Sequence, residues 1–246
     1  EWTRLSHLVD KIAQLPGDFR VRLSSIEATE VTRELIDAMA DNVDKVCPHL
    51  HISMQSGSDA VLRRMRRRWG SRRYIDRCEL VKERLDRPAI TTDIIVGFPG
   101  ETDAEFAETV AVARAVGFSK VHIFPFSPRR GTPAATMPNQ VPAQTRDERA
   151  SELAAVEAEL RDAYFHGLRG RRLRVLVESK AEGGSRKGEG RTIHNASFPV
   201  PASTFPLWLG TSCRYAPVEL AANFSDVGRL VEVIAADVRN GCIVAA

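Results

Sequence analysis

The sequence predicts an α/β fold: a partial (β/α) barrel of parallel strands, then a small all-β barrel. Three observations carry that expectation. Strand-like and helix-like segments alternate four times between Phe19 and Phe126, the pattern of a parallel sheet or part of a barrel. The stretch from Thr91 to Thr102 reads as a buried β-branched strand, a Gly-Pro-Gly turn and a capped helix. After Gly170 the long helices give way to short β-rich segments, which suits a small barrel module. Four strands are too few for a complete eight-stranded barrel.

Taken in order, Trp2 to Leu15 reads as a helix closed by Pro16-Gly17, and Phe19 to Ile26 alternates apolar and polar residues as a strand does. Val31, Leu35 and Met39 keep helical spacing within a helix from Thr29 to Ala40. His49 to Met54 is the second strand, ending in Gln55-Ser56-Gly57-Ser58. Ser58 and Ser71 are the expected caps of the next two helices. The third strand runs into Gly97, Pro99 and Gly100, where glycine permits turns and close approaches that other residues resist. Thr102 and Glu105 are spaced as a capping box for a helix that Gly117 stops. Val121 to Phe126 is the fourth strand. Prolines 133, 138 and 142 then lead to a long polar helix from Ala143 to Leu168. Strands are expected at Leu173–Glu178, Arg191–Val200, Thr211–Val218, Arg229–Ile234 and Cys242–Ala245, with a basic glycine loop from Gly183 to Gly188. The expected boundaries are a partial barrel over 1–142, a connecting helix over 143–170 and a β-barrel over 171–246.

With 246 residues and 43% apolar content, the chain can build one large domain plus a module. No apolar stretch of about 18 residues and no signal-like amino terminus is visible, so a cytoplasmic protein without membrane attachment is expected. Beginning at Glu1 inside a predicted helix, the chain is expected to be a piece of a longer protein. The formal charge of +3 is modest, but arginines cluster at 63–73 and 169–174. Such clusters suit phosphate, because the guanidinium fork binds it bidentately, and they equally suit a solvated helix face. The four cysteines, Cys47, Cys78, Cys213 and Cys242, lack the spacing of a metal or iron–sulfur site. Cys47, His49 and His51 alternate along one segment, more simply read as a strand lined by partly buried imidazoles than as a zinc site. Ser24, Ser56 and Ser212 have no nucleophile-elbow context, which argues against serine hydrolysis.

Parallel sheets bind ligands beyond the carboxyl ends of their strands. Four such ends carry polar or glycine-bearing loops: Ser24 to Glu27, Gln55 to Ser58, Asp93 to Glu101 and Phe124 to Arg130. A cleft there could hold an amino-acid or nucleoside cofactor. Its ammonium would favour Glu27 or Asp93, its carboxylate an arginine such as Arg67, and its purine the face of Phe124 or Phe126.

Several of these stretches together resemble one family. Arg22 to Glu27, Lys45 to Ile52 running into Gln55–Ser58, Thr92 to Thr102, and Phe124 to Ala134 are similar, in that order, to radical-SAM tRNA methylthiotransferases. The wording of Leu23–Glu27 and Cys47–His51 is most similar to the MtaB-like branch, which adds a methylthio group to threonylcarbamoyladenosine beside the tRNA anticodon. The resemblance covers about residues 1 to 170. The remainder is similar to the more variable TRAM β-barrel with which such enzymes grip tRNA.

The resemblance implies a partial radical-SAM barrel, S-adenosyl-L-methionine, two [4Fe–4S] clusters, an electron donor and tRNA as partner. It makes Ser24, Glu27, Gln55, Ser56, Arg67, Asp93 and Gly97 candidates for the S-adenosylmethionine site, with Phe124 and Phe126 near the adenine. Arg171, Arg172, Arg174, Arg186 and Lys187 become candidates for RNA phosphate contacts. The family's cluster-binding cysteines have no counterpart here, so no metal ligand or catalytic residue is assigned. The chain by itself is expected to be inactive. The alternatives are a non-catalytic RNA-binding remnant and one half of a split enzyme.

Overall fold

The computed structural model describes residues 4–180, 207–222 and 226–246. The chain divides into two compact units, Glu1–Leu168 and Arg169–Ala246. Arg186, Lys187, the loop around them and the strand expected at 191–200 lie outside the described residues.

The first unit is built on an open sheet of four parallel strands in the order β1 (Val21–Ile26), β2 (Val46–Ile52), β3 (Ala89–Val96) and β4 (Lys120–Pro125). Among its described residues, six helices accompany the sheet: α1 (Leu5–Ala13), α2 (Arg33–Asp41), α3 (Asp59–Arg64), α4 (Ser71–Arg84), α5 (Asp103–Val116) and α6 (Ala143–His166). Parallel neighbours need long crossovers, and α2, α3–α4 and α5 supply them. Alternation along each strand sorts the side chains between the two faces. Leu50, Ile52, Ile90, Ile94 and Val96 enter the core with Leu35, Ile36, Val81, Phe106 and Phe118 from the helices and their flanking loops. His49, His51, Thr91 and Asp93 occupy the alternate positions of β2 and β3.

The capping box is formed as read: Thr102 Oγ1 accepts from the Glu105 amide at 3.2 Å, and the Glu105 carboxylate accepts from the Thr102 amide at 2.8 Å. Three other starts differ. The helix read from Thr29 starts at Arg33, where Thr32 caps α2 by accepting from Leu35 N. Ser58 makes no capping bond, and Gly70 rather than Ser71 stands at the N-cap of α4. There the Asp59 carboxylate accepts from the Ser71 amide at 2.7 Å. A carboxylate from a neighbouring helix takes the place of the expected local hydroxyl. The helix expected as a connector, α6, instead packs along β4, β3 and α5, and Leu153 at its centre is fully buried.

Glu105 also takes a two-pronged contact from Arg64, at 2.9 and 2.8 Å, and Arg64 reaches the Gly100 carbonyl at 3.2 Å. The Arg64 bond, the foremost cause, holds the Glu105 carboxyl down at about 2, against an ordinary 4.5. An acid whose folded pKa is depressed contributes stability that is complete above its unfolded pKa and disappears as pH falls through the folded one. Acid unfolding of the first unit should therefore steepen between about pH 4.5 and pH 2. Glu105→Gln should flatten that segment, as followed by circular dichroism.

The second unit is a closed five-stranded barrel in the order β5 (Arg172–Lys180), β6 (Leu207–Ser212), β7 (Pro217–Ala221), β9 (Cys242–Ala245) and β8 (Leu230–Arg239). β8 returns to pair with β5, and only β7 and β9 run parallel among the described pairs. Leu173, Val175 and Val177 point inward while Arg172 is exposed. The single strand expected over Thr211–Val218 is instead broken by a turn at 213–216, between the end of β6 and the start of β7. Ser212 Oγ accepts from Arg214 N and Ala216 N at 3.3 and 3.1 Å, and Tyr215 takes φ +58°. A serine hydroxyl that bonds its following amides favours a turn over extended backbone.

Candidate functional site

The carboxyl ends of β2, β3 and β4 border an open cavity of about 510 Å³. Gln55, Asp93, Ile95, Phe124, Pro125 and Phe126 form its sheet side, and Ser127, Arg129, Thr132 and Ala134 its loop side. Gln55 is placed by an unusual backbone. Its amide donates to the Asp93 carbonyl at 2.8 Å, its carbonyl accepts from Ile95 N at 2.9 Å, and it holds φ +66°. A non-glycine residue in the left-handed region needs such pinning on both sides. On the loop side, Thr132 donates through both its amide and its hydroxyl to the Arg129 carbonyl, closing a turn with Gly131 at φ +84°.

Asp93 stands at the mouth of a buried polar string. Its Oδ2 lies 3.2 Å from His51 Nε2. His51 Nδ1 is 3.0 Å from Thr91 Oγ1, which is 3.1 Å from His49 Nε2. Burial, reinforced by Arg22 and His51, drives the His49 pKa down to about 3, so its imidazole is neutral at physiological pH. The His122 ring lies 5.8 Å from that of His51, and burial lowers its pKa as well.

The nine proposed cofactor residues separate into three groups. Gln55, Asp93, Phe124 and Phe126 line the cavity. Glu27 and Arg67, proposed as partners of opposite ligand charges, face each other at 3.3 Å, with the Arg67 guanidinium 5.4 Å from the Trp69 ring. They and exposed Ser24 are not among the cavity walls. Ser56 and Gly97 are enclosed by protein. Ser56 is fully buried against Thr109 Oγ1 at 3.1 Å and accepts from Ser58 N. Gly97 is covered by the stem of Arg146, whose guanidinium donates to the Phe126 carbonyl. These two serve the turn itself.

Arg129, Thr132 and Ile95 are wall residues that the sequence did not single out. The motif Ser127-Pro128-Arg129-Arg130-Gly131-Thr132 was the available signal, since its turn chemistry bends it back over the strand ends. Part of the 63–73 arginine cluster is paired within the chain: Arg64 and Arg67 pair as described, and exposed Arg72 pairs with Asp76 at 3.0 Å.

The cysteines do not fit an iron–sulfur cluster. All four are buried, and Cys78, in the α4 core, has its thiol pushed up to about 12 by desolvation, the opposite of what a thiolate ligand needs. Among the described residues, no three His, Cys, Asp or Glu side chains are grouped to hold a metal ion. Nor, among them, is any helix long and apolar enough to cross a membrane.

A parallel sheet with a polar and aromatic cavity at its strand ends places the first unit in the α/β class. Residues 2–113 match the model of the radical SAM superfamily, so the chain carries a radical SAM domain. Over 174 residues it is 44% identical to the threonylcarbamoyladenosine tRNA methylthiotransferase MtaB of Thermotoga maritima, covering 71% of this chain and 40% of that one. It is also 44% identical over 195 residues to a tRNA-2-methylthio-N(6)-dimethylallyladenosine synthase of Frankia casuarinae, covering 76% of this chain and 36% of the relative. The Bacillus subtilis MtaB matches at 42% over 67% of this chain and 36% of its own length. The chain thus spans well under half the length of these relatives.

Proposed function

We propose that this chain forms part of a radical-SAM tRNA methylthiotransferase that adds a methylthio group to threonylcarbamoyladenosine beside the anticodon. The observation that carries the reading is the cavity bounded by Gln55, Asp93, Phe124 and Phe126, at the strand ends of a radical SAM domain whose relatives modify tRNA adenosines. Its lining fits an adenosyl group: aromatic faces for the purine, and a carboxylate and an amide for its polar edges. Glu27 and Arg67, which bond each other outside the cavity walls, would exchange that bond for the ligand's amino and carboxylate groups. Bound S-adenosyl-L-methionine would supply the radical chemistry. This chain's residues would bind it, orient it and exclude water. Because the cysteines here do not fit a cluster, the thiolates would come from other sequence or a partner chain, and this chain alone would be inactive.

The second unit would be the RNA grip, a TRAM-like module. Small five-stranded barrels of this kind bind oligonucleotides on their outer strands and loops. Arg172 and Arg174 lie on β5, and Arg171 immediately precedes it. Arg172→Ala with Arg174→Ala should weaken tRNA binding and reduce the slope of log affinity against log salt by about one for each arginine withdrawn from a phosphate. Filter binding across a salt series would show it, and an unchanged slope would remove these residues from the interface.

Function is tested by deleting the encoding gene and digesting the cell's tRNA for nucleoside mass spectrometry. Loss of the methylthio group from threonylcarbamoyladenosine is expected. Its loss from dimethylallyladenosine would reassign the substrate, and unchanged nucleosides would overturn the reading.

A further inference from the structure

We propose that His49, Thr91 and His51 are positioning residues that fix the Asp93 carboxylate as a hydrogen-bond acceptor in the cavity, for a ligand bringing an ammonium or amino N–H. The proposal rests on the reading of the cavity as an adenosyl-ligand site. It adds the three residues behind the wall, which would not themselves touch the ligand.

Burial makes these residues unusual. Inward positions of parallel barrels are filled mostly by branched apolar side chains, and an unsatisfied polar group there is costly. Here His49, Thr91 and His51 are 2%, 1% and 9% exposed and are joined in one line of contacts of 3.0 to 3.2 Å that ends on Asp93.

Proton counting gives the line a direction. A carboxylate oxygen accepts, so a His51 ring carrying one proton donates to it from Nε2 and keeps Nδ1 as an acceptor. Thr91 has one hydroxyl proton, and Nδ1 of His51 takes it. The Thr91 oxygen then accepts from His49 Nε2. Neutral His49 can hold that tautomer because burial keeps it from charging. Every donor therefore points toward Asp93. The charged and titratable groups facing the line are Arg22 from β1 and His122 from β4, the latter influenced by Lys120 and Glu157. The His51 contact holds Oδ2 of Asp93, a cavity-wall residue, and would leave its other oxygen to accept from a ligand.

Long-range proton–nitrogen spectra of the ¹⁵N-labelled chain at pH 7.5 test this directly. His49 and His51 are both expected to carry a proton at Nε2 and none at Nδ1. The Nδ1–H form at either ring in the unmodified chain would overturn the proposal, with no variant needed. Thr91→Val keeps a β-branched side chain but removes the hydroxyl, and it should release His51 into tautomer averaging. It should also weaken binding of S-adenosyl-L-homocysteine roughly tenfold, and Thr91→Ser should restore both. A Thr91→Val chain that melts lower yet keeps the His51 tautomer and the affinity would make Thr91 a packing residue and sink the relay. If the unmodified chain binds no S-adenosyl-L-homocysteine, the adenosyl reading of the cavity fails, while the tautomers still decide the relay.

Discussion

Gly57→Ala should destabilise the first unit by about 3 kcal/mol, from the overlap and a weakened buried hydrogen bond together. A Cβ at Gly57 would stand 2.6 Å from the Thr109 Cα, 2.9 Å from the Val112 Cβ and 3.0 Å from the Glu108 carbonyl oxygen. Two of these three atoms are backbone of α5, so no rotamer change relieves them, and the helix itself must retreat. Retreat would stretch the bonds from Gly57 N and Ser56 Oγ to Thr109 Oγ1, now 3.0 and 3.1 Å. Gly117→Ala is the informative control. Gly117 has φ +66°, and its added methyl would meet nothing within 4 Å, so the cost is conformational only, about 1 kcal/mol. Urea unfolding of the two variants should separate them clearly, and equal midpoints would contradict the steric account.

Arg149→Met should cost about 3–5 kcal/mol, the usual penalty for leaving a buried charge without its partner. Arg149 Nη1 donates to the Glu101 carboxylate at 2.8 Å and to its carbonyl at 3.1 Å, and Nη2 reaches Asp103 at 2.7 Å. The Glu101 side chain is entirely enclosed, and it also accepts from Gly97 N at 2.6 Å. Desolvation is the leading influence on this carboxyl and raises its pKa despite these donors. A carboxyl raised in the folded state binds protons more readily there than in the unfolded chain, so its contribution becomes less favourable as pH rises through that interval. The penalty of Arg149→Met should accordingly be smaller at pH 5 than at pH 7, because the raised Glu101 carboxyl takes up a proton more readily as the pH falls. Glu101→Gln combined with Arg149→Met should recover much of the loss at pH 7. Calorimetric melting at both pH values would check this, and a pH-independent loss would show that Glu101 is not the charge left stranded.

The parallel sheet and its turns were legible because local chemistry dictates them. β-branched runs, Gly-Pro-Gly and Thr102 with Glu105 act within a few residues of one another. What escaped depends on distant partners. Asp59 serves the start of α4 from another helix, and Ser212 converts an apparent strand into a corner through its own hydroxyl. In the site, Gln55 and Asp93 line the cavity, Asp93 from within β3 rather than from its end, and spacing does not reveal that Arg67 finds Glu27 or that Arg146 lies over Gly97. Thr91 was read simply as part of a buried strand. Its role emerges only once parallel pairing puts it opposite His51.

The attachment of α6 also has an entropic consequence. The segment from Phe126 to Pro142, which carries the outer wall of the cavity, is secured at both ends. The Phe126 amide donates to Val96 O at 2.9 Å, its carbonyl accepts from Arg146, and Asn139 O accepts from Gly100 N at 2.8 Å. Gln140 adds two bonds within the span, to Ala134 O and Met137 O, at 3.0 Å each. Much of the ordering that a ligand would otherwise impose on this wall is already done when the chain folds, so contact energy at Phe124, Phe126 and Arg129 would go into affinity rather than into freezing a loop.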